Sequence, residues 1–248
     1  TGEASSRASL DLPGVQQELV ERIYSTGKPI VAVLMNGRPL TIGWIDQHIP
    51  SILETWFLGT QAGNAIADVI FGDYNPSGKL PITFPRSVGQ IPIYYSMRST
   101  GRPFDANNKY TSKYLDESND PLYPFGYGLS YTTFDYGEVE LSSSEITETD
   151  TLDISVSVTN TGKYYGREMV QLYIHDNVAS VAPPVKLLKQ FQFVDLKPGE
   201  SKKMVFKLTV NDLMFYRDDM SYGFEKGQFT VYIGGNSRDV RTAFFSLN

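Results

Sequence analysis

Few residues in this 248-residue chain are equipped for chemistry. There is no cysteine, which excludes thiol nucleophiles, disulfides and cysteine-ligated metal. His48 and His175 are far apart and neither sits in a metal-ligand spacing such as HExxH, so both read as ordinary surface or packing histidines and no metal site is expected. Carboxylates remain. Glu3 stands alone in "TGEASSR", a run of small residues. On composition alone it is solvated surface at a frayed end; the other reading is a functional loop at the carboxyl edge of a strand that is not in this sequence. "NGRP" (36–39) offers Asn36 and Arg38 on either side of Gly37, as a plain turn or as a loop at the ligand-binding edge of a parallel sheet. The polar segment 101–120, "GRPFDANNKYTSKYLDESND", carries Tyr110, Tyr114 and Asp116. It reads as a solvated inter-domain loop or as a loop that reaches back to line a site.

Elements must position these residues. Apolar residues make up 41% of the chain, enough for a core, and its length suits one large domain or two ordinary ones. A net charge of −6 argues against a nucleic-acid partner, which requires a basic face. No run of 18 apolar residues exists to span a membrane, and no signal peptide is visible. The aromatic content, 16 Tyr and 14 Phe, fits β propensity and sugar binding equally well.

Periodicity predicts a helix over 11–27, with Asp11 as cap, Pro13 in the first turn, Gly27 at the end, and Val15, Leu19, Ile23 and Tyr24 on the inward face. "PIVAVLM" (29–35) and "SILETWF" (51–57) read as strands, the first buried on both faces of a parallel sheet. A second helix is expected over 60–72, with Ala65, Ile66, Val69 and Ile70 inward and Gly72 closing it. Strand and helix alternate as in an α/β sheet, and "KLPITF" (79–84) adds a short strand. From about residue 136 the period changes to two. "LDISVSVTN", "REMVQLYIHD", "KLLKQFQFVDL", "SKKMVFKLTV", "GQFTVYIGG" and "VRTAFFSL" read as strands separated by turns, with a helical turn at the start of "NDLMFYRDD". About seven short strands of this kind suggest an antiparallel β-sandwich of immunoglobulin or fibronectin type III kind.

Three longer stretches carry a resemblance: "GNAIADVIFGDYNPSGKLPITFPRSVGQIPIYY" (63–95), "YPFGYGLSYTTF" (123–134) and "LLKQFQFVDLKPGE" (187–200). Together they resemble glycoside hydrolase family 3, the β-glucosidase family, and its periplasmic subgroup above all. The first is similar to the signature at the end of the family's α/β sandwich domain, and the second to the junction that follows. The third is similar to a strand and turn of its fibronectin type III-like domain, where Gly usually stands in place of Gln190. The fold expected is α/β plus all-β. A partial α/β sandwich, with a mostly parallel sheet and flanking helices, spans 1–100. A linker or wrapping segment spans 101–135 and a fibronectin type III-like β-sandwich spans 136–248.

The resemblance implies a retaining, exo-acting hydrolase of β-linked glucosides or oligosaccharides, without a cofactor, in the periplasm or secreted. It also implies an N-terminal TIM barrel in the same polypeptide that carries the aspartate nucleophile. Gly2 and Glu3 match the family's "GE" pair on the loop of the general acid/base, which makes Glu3 the implied catalytic residue. Such a mechanism needs two carboxyls about 5 Å apart, one acting as nucleophile and one as acid, then base. This chain is expected to bring at most the second of them and to be inactive alone. The competing readings are a non-catalytic scaffold or carbohydrate-binding module and, on the sandwich alone, an adhesion module.

Overall fold

A computed structural model describes residues 3–248, which form two compact units. The first comprises the chain up to Tyr74 together with Ile82–Ile93 and Lys113–Tyr123. The second comprises Asn75–Pro81, Tyr94–Ser112 and Pro124–Asn248. The segment 101–135 is thus shared: 113–123 belongs to the first unit and the residues on either side to the second.

The first unit holds α1 (Gln16–Tyr24), β1 (Val31–Leu34), α2 (Gly43–His48), β2 (Ser51–Glu54) and α3 (Ala62–Phe71). α1 begins well inside the expected 11–27 because Gly14 takes a left-handed φ of 60° just ahead of it. Asp11 does not cap the helix. Its carboxylate accepts from the hydroxyls of Ser9 and Thr41 instead. Two i,i+4 contacts, Gln17 to Glu21 and Arg22 to Glu18, support the helix surface by a few tenths of a kcal/mol each. Its expected inward face is exposed throughout, at Val15, Leu19, Ile23 and Tyr24. α3 starts two residues later than expected and ends as expected, with Gly72 in the left-handed C-cap at φ 87°. Ala65 and Ile70 are exposed, while Ile66 and Val69 are half-buried.

β1 and β2 pair in parallel, from Val31 opposite Ser51 to Leu34 opposite Glu54, with α2 as the crossover. Among the described residues this pair is the whole sheet of the unit, so the expected mostly parallel sheet is not borne out. Nor is β1 buried on both faces, since Val31 is exposed. An apolar run reports a demand for burial, and only two strands are here to meet it. "KLPITF" forms no strand. Pro81 and Pro85 remove donors, and only an isolated bridge links Phe84 to Tyr123. The small core here consists of Leu10, Leu34, Ile42, Ile45, Ile49, Phe84 and Leu122.

The second unit continues with β3 (Phe134–Tyr136), β4 (Glu140–Leu141), β5 (Glu145–Ile146), β6 (Leu152–Asn160), β7 (Gly166–Asp176), β8 (Leu187–Leu196), β9 (Ser201–Leu208), β10 (Phe215–Tyr216), β11 (Tyr222–Gly223), β12 (Gly227–Gly234) and β13 (Val240–Leu247). The six predicted segments from 152 onward become β6, β7, β8, β9, β12 and β13. The helical turn before Met214 is Val210–Leu213, closed by a capping box between Thr209 and Asp212. One sheet runs β5-β13-β12-β7-β8. In the other, β6 pairs with β3 and β4 along one side and β9 along the other. Pairing is antiparallel except for β5 with β13. Alternate residues of β6 (Leu152, Ile154, Val156, Val158) and of β7 (Val170, Leu172, Ile174) point into one core. There they join Phe206, Phe229, Val231, Ile233 and Phe245. Phe229 and Phe245 stack at 5.2 Å.

Side chains link the edges of the two sheets. Gln190 donates to the Lys207 carbonyl (2.7 Å), Gln192 to that of Val205 (2.9 Å), and Lys202 to that of Asp195 (2.8 Å).

The outer face of the larger sheet also carries buried polar groups. Tyr173 is fully buried against Tyr95, which in turn stacks on Phe125 at 4.3 Å. Burial and the nearby Tyr95 push the Tyr173 phenol far above its usual range. Gln171 donates to the carbonyls of Gly126 and Gly235 and accepts from Tyr173 Oη. Nearby, Lys79 Nζ lies 3.0 Å from Glu168 Oε2 and donates to the Gly128 carbonyl, also at 3.0 Å. Their side chains are only 9% and 5% exposed. Tyr136 Oη donates to the same carboxylate at 2.9 Å, and burial followed by that negative charge raises the Tyr136 pKa well above the ordinary phenol value.

Candidate functional site

Ligands of open α/β sheets bind beyond the carboxyl ends of parallel strands. In the first unit that place is formed by the residues after Leu34 and after Glu54, which the register sets side by side. Thr55, buried, donates both its N–H (2.9 Å) and its hydroxyl (2.7 Å) to the Leu34 carbonyl, fastening the two strand ends together. Asn36 Nδ2 donates to the Arg38 carbonyl (2.8 Å) and to Glu54 Oε2 (3.2 Å). Glu54 Oε1 accepts the N–H of Trp56 (3.1 Å). Burial raises the Glu54 pKa, and the hydrogen bonds from Trp56 and Asn36 pull it part of the way back. Asn36 Oδ1 is buried without a hydrogen-bond partner among the described residues.

The chain then turns sharply. Trp56 has φ 49°, a left-handed conformation that costs a non-glycine residue about 1–2 kcal/mol. Its ring packs on the fully buried Phe84 at 6.0 Å. Phe57 is left 69% exposed, with its ring laid against the backbone of Gly37. A Cβ on Gly37 would stand 2.8 Å from Phe57 Cε2, so a larger residue there would push the exposed ring aside.

Among the sequence-predicted residues, Asn36 and Arg38 meet in this loop. Glu3 lies in an exposed turn of the same unit, followed by Ala4 at φ 56°, while its partner in the "GE" pair, Gly2, lies outside the described residues. Tyr114 and Asp116 are exposed on the segment 113–123, where Tyr114 Oη donates to the Gly89 carbonyl at 3.2 Å. Tyr110 belongs to the second unit. There Asp105, Asn108 and Thr111 hydrogen-bond the loop to itself and Lys109 sits 5.0 Å from the Tyr110 ring centroid. Glu54, Trp56 and Phe57 went unread because "SILETWF" looks like one apolar strand. The signal was the acid inside it, a residue type that a sheet interior rejects unless it is paired. No group of three or more acidic or histidine side chains among the described residues is arranged to hold a metal ion. Among the described residues no helix is long and apolar enough to cross a membrane.

The glycosyl hydrolase family 3 C-terminal domain model matches residues 1–131, and a fibronectin type III-like domain model matches 168–237. The chain therefore belongs to the glycosyl hydrolase family 3 C-terminal domain family, with a fibronectin type III-like domain after it. It is 54% identical to a periplasmic beta-glucosidase of Salmonella typhimurium, over 99% of this chain and 32% of the relative. It is 49% identical to a beta-xylosidase of Formosa agariphila, over 99% of this chain and 34% of the relative. The crystal structure of a beta-glucosidase from Listeria innocua in complex with glucose superposes with a TM-score of 0.94 at 40% identity. It covers all of this chain and 35% of its own. The chain thus spans about a third of the length of the curated relatives it matches.

Proposed function

We propose that this chain is the C-terminal part of a retaining, exo-acting β-glucosidase-type hydrolase and that Glu3 is its general acid/base. The observation that supports the reading is the Gly2-Glu3 pair in the sequence ahead of the first helix, in a chain of this family. The aspartate nucleophile then lies in an N-terminal TIM barrel of the same polypeptide. The substrates are β-linked glucosides or oligosaccharides. The names of the relatives, one a β-glucosidase and one a β-xylosidase, leave both a hexose and a pentose within reach of this scaffold. The name of the Salmonella relative supports a periplasmic or secreted location. Asn36 and Arg38, with Tyr110, Tyr114 and Asp116, are proposed to contribute to substrate binding.

In the first step the acid gives its proton to the glycosidic oxygen while the nucleophile attacks the anomeric carbon. A glycosyl-enzyme forms and the alcohol leaves. In the second, the resulting carboxylate takes a proton from water as its oxygen attacks that carbon, releasing the sugar. An acid/base carboxyl must hold its proton near neutral pH, which takes burial or a neighbouring negative charge. The proposed barrel supplies both.

The test is Glu3→Gln in the full-length polypeptide. Turnover of an unactivated disaccharide should fall by about 10²–10⁴-fold. An activated aryl glucoside, whose leaving group needs little proton assistance, should lose far less in its first step. Azide should accelerate the second step by attacking the glycosyl-enzyme without a general base, yielding a glycosyl azide. Full activity on the disaccharide would exclude Glu3 from the role.

A further inference from the structure

We infer that Phe57 is a sugar-stacking platform at an outer subsite, holding a ring of an oligosaccharide substrate other than the ring that is cleaved off. The inference rests on the hydrolase reading above and adds a binding site to it. Four observations converge. Phe57 lies beyond the carboxyl end of β2, on the ligand-binding edge of the parallel pair. Its ring is 69% exposed although its neighbour Trp56 is anchored on buried Phe84. The turn that presents it is strained, at φ 49°, and held by the Glu54 carboxylate on the Trp56 N–H, and strain of this kind collects at ligand clamps. Finally, the Phe57 ring lies against Gly37, where a methyl group would collide with it.

The backbone of Gly37 therefore supports the ring from one side, and the ring keeps most of its surface open. An open π-face suits the C–H face of a pyranose, whose hydrogens carry partial positive charge. The cleaved ring needs an enclosed site with many hydrogen bonds to hold and distort it. A largely exposed phenyl ring offers neither enclosure nor donors, so it fits a ring held by one face only. Asn36 and Glu54 act on this platform as positioning residues: Glu54 fixes both the Trp56 turn and the Asn36 side chain beside Gly37.

The experiment uses the full-length polypeptide with two substrates, an aryl β-monoglucoside and a β-glucan trisaccharide. Phe57→Ala removes the platform, and Gly37→Ala displaces it while leaving the ring in the protein. Both should raise KM for the trisaccharide by roughly three- to tenfold, the range expected for one lost stacking contact. KM for the aryl glucoside and the midpoint of thermal unfolding should stay unchanged, and Phe57→Tyr should retain the wild-type KM for both. Unchanged KM for the trisaccharide overturns the proposal. So does equal loss on both substrates, or a fall in thermal midpoint in both variants without a selective KM effect, which would make Phe57 a packing residue. Failure here leaves the outcome for Glu3→Gln untouched, since that variant is read on bond cleavage and azide rescue.

Discussion

Lys79→Met should destabilise the protein by about 3–5 kcal/mol, the cost of breaking a buried ion pair from one side. The figure follows from what the substitution leaves behind. Methionine keeps most of the packed stem, so little apolar contact is lost. Glu168, however, remains inside with its side chain 5% exposed. It loses the ammonium at 3.0 Å and keeps only the Tyr136 hydroxyl among the partners described above. The Gly128 carbonyl loses its donor as well. At about 2–4 °C per kcal/mol for a protein of this size, the thermal midpoint should fall by roughly 6–20 °C. Removing both charges, as Lys79→Met with Glu168→Met, should recover most of the loss, since no buried charge is then left unpaired. The assay is far-UV circular dichroism during thermal and urea unfolding. Tryptophan fluorescence is the wrong probe, because both tryptophans, Trp44 and Trp56, belong to the first unit. A single variant that costs under about 1 kcal/mol, or a double variant no better than the single, would refute the account.

Glu54→Gln should change stability by no more than about 1 kcal/mol near pH 7, since it removes a half-buried charge but leaves one acceptor oxygen where the carboxylate offers two. Burial holds the folded-state pKa of Glu54 above 4.5, so as pH falls the folded state takes up this proton before the unfolded state does. Wild type should therefore gain stability on the variant as pH drops from neutral toward 4.5, read from urea midpoints. Gly126→Ala should cost about 2–4 kcal/mol by thermal unfolding. Gly126 has φ 79°, and the added Cβ would stand 2.1 Å from Gln171 Oε1, displacing a side chain that holds two carbonyls and the Tyr173 hydroxyl.

The sandwich was legible because its long strands bury one face each. Leu152, Ile154, Val156 and Val158 alternate with polar neighbours, and a period of two survives any detail of partner choice. β3, β4, β5, β10 and β11 were not, since two or three residues have no period to detect. In the first unit, the apolar stripes of α1 and α3 located two helices but said nothing of what covers them, and most of those side chains are exposed. The parallel pair was legible from "PIVAVLM" and "SILETWF", but among the described residues the partial, mostly parallel sheet expected there does not extend beyond it. At the candidate site, Asn36 and Arg38 were singled out through turn chemistry. Glu54 and Phe57 were hidden because backbone strain at Trp56 leaves no mark in hydropathy. The segment 101–120 gave its polarity away and not its division between two units.

Gln190 occupies a position where the family resemblance leads one to expect glycine, and its amide reaches the carbonyl of Lys207 on β9. β8 and β9 are each paired on one side only among the described strands, so each presents a free row of backbone groups. Such rows recruit strands from other molecules. Here the amides of Gln190 and Gln192 already fill the carbonyls of Lys207 and Val205, and the ammonium of Lys202 fills that of Asp195. A strand arriving on β9 would have to displace the Gln190 and Gln192 amides to reach these carbonyls, and one arriving on β8 the Lys202 ammonium. The two edges thereby guard each other, and pairing with a foreign strand at these carbonyls costs more than it would at a bare edge.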